Sequence, residues 1–249
     1  TERGILGLAS AELLRSCLRA VTNVTMQAFS TTDIERFSEV ATENGVAARL
    51  LCITISGSTS GPGMPTVRTG LAQRLSALLS NCVNLRRLEV SELDNVRICA
   101  PLRSAIRTGL QLQELSLDCW NPKDETDSAL LADVVATGCL KRLSLAWTRV
   151  GNAGLVAILA HVQLWGSVLP RPGLPHVHFL SLAGTDIRGS DGGSLLAAFI
   201  AHLGGVIELD LSWNRSILAP CISSFARSLG QATALCLETV TLNHCGLRG

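Results

Sequence analysis

An apolar pattern at offsets 0, 3 and 5 returns eight times along the chain, and no other feature constrains its fold as strongly. The clearest copies are Leu85-Arg-Arg-Leu88-Glu-Val90, Leu112-Gln-Glu-Leu115-Ser-Leu117, Leu140-Lys-Arg-Leu143-Ser-Leu145, Val177-His-Phe-Leu180-Ser-Leu182, Val206-Ile-Glu-Leu209-Asp-Leu211 and Leu237-Glu-Thr-Val240-Thr-Leu242. Two weaker copies precede them, Val21-Thr-Asn-Val24-Thr-Met26 and Leu50-Leu-Cys-Ile53-Thr-Ile55. Successive copies start 29, 35, 27, 28, 37, 29 and 31 residues apart, so the two long intervals hold insertions in an otherwise steady register. Within a unit the period switches. Leu143-Ser-Leu145 alternates like a strand, and Leu155-Val-Ala-Ile158-Leu159 has helical spacing. One short strand cannot cover its own apolar side, whereas stacked strand-helix units pair their strands in parallel and bury a continuous aliphatic core.

These residues resemble the leucine-rich repeat, Leu-x-x-Leu-x-Leu-x-x-Asn/Cys-x-Leu, and unit lengths near 28 with a full helix resemble its ribonuclease-inhibitor-like class. The best match is Leu140-Lys-Arg-Leu-Ser-Leu-Ala-Trp-Thr-Arg-Val150-Gly-Asn-Ala-Gly154-Leu155. Asn214 and Cys245 fall at offset 8, where the family's Asn or Cys satisfies backbone groups in the turn after the strand. Phe29, Ser58, Leu93, Trp120, Thr148 and Thr185 occupy that place elsewhere, so irregular turns are expected there. The resemblance implies an α/β solenoid, an arc of about eight strand-helix units with a parallel sheet on its concave face. It covers roughly residues 10–249, and the chain is read as a single domain, 1–249, with 1–20 an incomplete first unit and repeats starting near 21, 50, 85, 112, 140, 177, 206 and 237.

Composition agrees with a uniform aliphatic core. Of 249 residues 42 are leucine, against 5 Phe, 4 Trp and no Tyr. The 21 basic and 20 acidic side chains cancel, which argues against nucleic acid or an anionic membrane as principal partner. No run of about 18 uncharged apolar residues exists, and with Glu2, Arg3, Glu12, Arg15 and Arg19 in the first twenty residues neither a membrane span nor a secretory signal is visible. Nine cysteines, an odd number without a Cys-x-x-Cys pair, read as reduced core thiols and point to a cytoplasmic, reducing setting. The sequons at Asn23 and Asn214 are the contrary sign. The start at Thr1 and the absence of polar caps lead to the expectation that the domain belongs to a longer array or is capped by partners.

The long intervals carry a Gly/Ser/Pro-rich loop at 56–65, followed by a helix from about Thr66 to Ser80, and a proline-rich insert at 164–175 that includes Trp165. The helix at 9–19 is read as the remnant of a unit. The familiar catalytic constellations are missing: no phosphate loop, no Gly-x-Gly-x-x-Gly, no His-Glu-x-x-His and no Gly-x-Ser-x-Gly. His176 and His178 lack a third metal ligand at useful spacing. His161 and His202, late in their helices, are explained by the helix dipole, and the acidic stretch from Asp118 to Asp127 reads as a solvated loop. The chain is therefore read as noncatalytic, with no cofactor, metal or small-molecule substrate.

What remains is the strand face turned away from the helices, where stacking arrays side chains in columns about 4.8 Å apart and about 34 Å across. Its offset-4 column is small and polar (Thr25, Thr54, Glu89, Ser116, Ser144, Ser181, Asp210, Thr241), and offsets 1 and 2 are basic toward one end and acidic toward the other. Trp147 and Trp213 hold equivalent places at offset 7 with Gly184 between them, so their indoles are expected to line a shallow gap. Exposed Trp and Arg are common at binding hot spots. The expected partner-binding residues are Trp147, Trp213, Arg87, Arg142, Phe179, Glu208, Asp210 and His244. Together they predict a protein-protein interaction scaffold or subunit of a larger assembly. The alternatives are a regulator of a GTPase, resembling the leucine-rich GTPase-activating proteins, and the substrate-recognition part of a ubiquitin ligase.

Overall fold

The computed structural model describes residues 21–27, 31–43, 45–56, 69–91, 99–118, 130–131, 133–135, 137–166, 177–203, 205–215, 217, 219–230 and 236–245. Each of the eight predicted repeats places a strand at offset 2, where apolar and polar side chains begin to alternate. The chain divides into two compact units, residues 1–112 and 113–249.

In the first unit β1 (Asn23–Gln27), β2 (Cys52–Ser56) and β3 (Arg87–Ser91) pair in parallel and in sequence order, with Val24 opposite Ile53 and Ile53 opposite Leu88. The helices α1 (Thr31–Glu43), α2 (Thr69–Asn81) and α3 (Cys99–Arg107) pack as successive neighbours. Helix α2 lies where a helix from about Thr66 to Ser80 is predicted; residues 56–65 of the preceding loop lie outside the described residues beyond Ser56, as do residues 9–19. The second unit contains β4 (Glu114–Asp118), β5 (Arg142–Ser144), β6 (Phe179–Ser181), β7 (Glu208–Asp210) and β8 (Thr239–Thr241), again parallel and in order. Helices α4 (Gly151–Gly166), α5 (Gly189–Leu203) and α6 (Ala219–Gly230) pack on one another in turn. Helix α4 runs through Leu164-Trp165-Gly166, which are expected to open the proline-rich insert; the rest of that insert lies outside the described residues.

Parallel strands in unbroken order, joined by crossovers of one hand, put every helix of a unit on the same side of its sheet. Burial follows. Ile53, Ile55, Leu88, Val90, Leu115, Leu117, Leu143, Leu145, Leu180, Leu182, Leu209 and Leu211, at offsets 3 and 5, are all 5% exposed or less and face the helices. Leu50, Leu85, Leu112, Leu140, Val177 and Val206 close the same core at offset 0. Offsets 2 and 4 point the other way because side chains alternate along a strand. Only at β8 does the apolar column open to solvent, where Val240 is 39% exposed. No described helix is long and apolar enough to cross a membrane.

The helix layer is closest between α5 and α6. A Cβ on Gly193 would fall inside the van der Waals envelope of the Cys221 carbonyl oxygen and 2.8 Å from the Phe225 nitrogen, so only glycine permits this approach. Beside it, Asn152 at the start of α4 donates to the Arg188 carbonyl at 2.9 Å and accepts from the Arg188 N–H at 3.1 Å, clipping the turn of the next repeat.

Candidate functional site

The site is built from the turns that follow β5 to β8. The parallel ladder does not stop at the strands: Leu145 N–H donates to Ser181 O, Trp147 N–H to Ala183 O, Gly184 N–H to Ser212 O and Trp213 N–H to Asn243 O, at 2.6–2.9 Å. Successive turns therefore stack in the same register as the strands. At offset 7 each turn reverses through the left-handed region, with φ of 60° at Trp147, 65° at Gly184, 62° at Trp213 and 59° at His244. Glycine is at ease there, and an L-residue is strained by roughly 1 kcal/mol or more. Three of the four positions nonetheless carry a large ring.

Offset 8 explains how the turns hold. Thr148 and Thr185 hydroxyls donate to the carbonyls of Leu145 and Leu182 at 2.7 and 2.8 Å, and the Cys245 thiol reaches the Leu211 carbonyl at 3.2 Å. Asn214 does more. Its Nδ2 donates to Leu182 O at 2.7 Å and Leu211 O at 2.8 Å, while its Oδ1 accepts from the Thr185 N–H at 2.9 Å. The irregular turn expected at Thr148 and Thr185 is thus corrected, because a threonine hydroxyl can serve the same offset-5 carbonyl. Phe29, Ser58, Leu93 and Trp120 lie outside the described residues. Asn214 is 1% exposed with its amide fully engaged, so this sequon is no acceptor in the folded chain; Asn23 is exposed.

The predicted gap between Trp147 and Trp213 does not exist. The Trp147 indole lies flat over Gly184, close enough that a Cβ there would be 2.6 Å from its Cε3, and it reaches across that repeat to touch Trp213 with ring centroids 5.7 Å apart and planes at 45°. Trp213 in turn stacks on the His244 imidazole, 3.9 Å between centroids and 19° between planes. The gap closes because a tryptophan side chain is longer than one strand spacing and glycine leaves room beneath it. The result is a continuous aromatic row in which Trp147 is still 52% and Trp213 40% exposed.

Phe179 and Arg142 also come together. They are direct partners in the β5–β6 register, and the Arg142 guanidinium carbon sits 4.1 Å from the centre of the Phe179 ring. Glu208 is Phe179's partner on the other side, exposed in β7. Asp210, at offset 4 of the same strand, accepts from the Ser212 N–H at 2.9 Å and the Ser181 hydroxyl at 3.4 Å. The five predicted residues beyond the tryptophan pair and its histidine therefore divide cleanly: Arg142, Phe179, Glu208 and Asp210 share the helix-free face of β5 to β7, and Arg87 belongs to the first unit. There its guanidinium pairs with Glu89 of its own strand, whose other oxygen accepts from Thr54 at 2.9 Å.

Asp118, expected to open a solvated acidic loop, instead closes β4 at offset 6 and accepts the Ser144 hydroxyl at 2.6 Å, linking the polar columns of β4 and β5; residues 119–127 of that predicted loop lie outside the described residues. Its offset in the repeat was the available signal. His178 is exposed just before β6, His176 and the side chain of His161 lie outside the described residues, and His202 falls in the last turn of α5.

Among the six cysteines whose side chains are described, all free, burial pushes the Cys82 thiol up to about 12 and raises those of Cys221 and Cys245 as well. They behave as small core side chains. Comparison with protein-family models and with curated proteins found no match to this chain.

Proposed function

We propose that this chain is a noncatalytic protein-binding module of leucine-rich repeat type, which engages its partner through the helix-free face of the second unit. The observation that carries the reading is the aromatic row Trp147–Trp213–His244, three rings held half in solvent on backbone that disfavours them. Residues kept in strained conformations are concentrated at functional sites, and exposed tryptophans dominate binding hot spots. The polar column beside them, Ser144, Ser181 and Asp210, supplies hydrogen-bonding groups at strand spacing. The repeat assignment is supported by the shared strand offset and by the offset-8 side chains of Thr148, Thr185 and Asn214, each of which donates to the carbonyl three residues earlier. The buried thiols Cys82, Cys221 and Cys245 suit a reducing, cytoplasmic setting.

The test is quantitative affinity capture from native lysate with the wild type and with Trp147→Gly/Trp213→Gly, which removes both indoles and leaves a residue suited to the turns. Partners recovered with the wild type are expected to fall to background with the variant. Equal recovery, or a wild type that retains no protein, overturns the reading.

A further inference from the structure

We infer that the partner presents a basic, extended segment to this face, with an arginine or lysine side chain over the Trp147–Trp213 indoles and further cations beside Glu208 and Asp210. This rests on the protein-binding reading above and adds the chemistry of the partner to it.

The charges on the face decide the sign. From offset 1 to offset 7, β7 and its turn carry Glu208 and Asp210, and β8 and its turn carry Glu238; neither stretch contains Lys or Arg. The only Lys and Arg at those offsets in the second unit are Lys141 and Arg142, both two repeats before β7 and three before β8, and Arg142 is already engaged with Phe179; the histidines there are His178 and His244, the latter stacked on Trp213. Arg215 follows Trp213 and Asn214, beyond the turn. Among the described residues the exposed carboxylates of Glu208 and Glu238 have no hydrogen-bond or ion-pair partner, and Asp210 holds only a backbone N–H and a hydroxyl. Anionic side chains without cations beside them leave a negative potential on this half of the face.

The indoles add a second, independent preference for the same ligand. Their exposed faces are electron-rich, and a guanidinium or ammonium over a tryptophan is drawn to the ring by its quadrupole. Arg142 over Phe179 shows the same chemistry already at work within the chain. Spacing fits as well. Glu208 and Asp210 lie two residues apart on β7, about 7 Å, with Trp213 in the turn that follows, so an extended peptide laid along β7 meets all three. Alternate side chains of such a peptide point the same way, so cations two residues apart meet Glu208 and Asp210 in turn.

The experiment titrates fluorescein-labelled synthetic peptides with the purified chain and follows the anisotropy of the label. A peptide of alternating Gly and Arg is expected to bind, weakening as salt is raised, and a Gly/Gln peptide and a proline-rich peptide are expected not to. Glu208→Gln/Asp210→Asn, isosteric changes at an exposed and a half-buried carboxylate, should weaken the Arg peptide about tenfold, as should Trp147→Gly/Trp213→Gly. An Arg peptide that does not bind, that binds Glu208→Gln/Asp210→Asn as tightly as wild type, or that is matched by the Gly/Gln or proline-rich peptide overturns the inference. Lysate capture separates the two levels. Partners lost with the tryptophan variant but kept with Glu208→Gln/Asp210→Asn overturn the basic-segment inference alone, whereas partners kept with both overturn the binding reading itself.

Discussion

Gly184 is the floor on which the Trp147 indole lies: a methyl group at position 184 would sit 2.6 Å from Cε3 and 3.0 Å from Cζ3 of the ring. Gly184→Ala therefore moves the indole without removing it, and adds left-handed strain at φ 65°. It is expected to shift tryptophan emission, cost about 1–3 kcal/mol in chemical denaturation, and weaken partner capture although no aromatic residue is lost. Unchanged emission and capture would disconnect Gly184 from the site.

At Trp147 and Trp213 the usual order of substitutions reverses. Alanine is ordinarily less destabilising than glycine, but at φ near 60° alanine carries the left-handed strain and glycine does not. Trp147→Gly and Trp213→Gly are each expected to be more stable than the matching Ala variant by about 1 kcal/mol, read as denaturation midpoints at equal slope. The reverse order would contradict the turn geometry.

Asn214 is the polar hub of the turn stack, with two carbonyls and one N–H depending on it inside the protein. Asn214→Ala leaves the Thr185 N–H buried without its acceptor and takes one donor each from the Leu182 and Leu211 carbonyls, which keep the Thr185 hydroxyl and the Cys245 thiol, and the expected loss is roughly 3 kcal/mol. Thr148→Val removes one hydroxyl donor and should cost about 1 kcal/mol. Equal losses for the two variants would show that the asparagine bonds carry no extra stability.

Gly193 sets the distance between α5 and α6. With a methyl group meeting the Cys221 carbonyl and the Phe225 N–H, backbone on both counts, no side chain can turn aside to admit it. Gly193→Ala is expected to destabilise by about 3 kcal/mol or more, and calorimetry would show it as a lowered transition temperature. Gly230→Ala is the control: a Cβ there meets nothing within 4 Å, and the change should be close to neutral.

Cys82 links stability to alkaline pH. Its folded thiol is raised to about 12 from an ordinary 9.0 by burial. Unfolded chains release that proton first, so the contribution is complete below pH 9 and is lost as pH rises toward 12. Unfolding measured across that window should steepen in the wild type and flatten in Cys82→Ala. At neutral pH, alkylation followed by mass spectrometry should label exposed Cys236 and spare Cys82 until the chain is unfolded.

The repeating strand, its register and the identity of the inward-facing columns are legible in the amino-acid sequence. Alternation over three to five residues, returning in step, leaves one way to hide the apolar side, and a slip of one residue would expose Leu143 and Leu145 in place of Arg142 and Ser144. The backbone addresses of Trp147, Trp213 and His244 follow from the same register. What their side chains do at those addresses was decided only by tertiary structure. Register fixes Cα positions about 4.8 Å apart, but an indole or a guanidinium reaches farther than that, so its final contact depends on which neighbour, some thirty residues away in sequence, leaves room or charge. Gly184 left room and the indoles closed the gap between them; Phe179 offered a ring and Arg142 lay over it; Glu89 stood on the same strand as Arg87 and paired with it.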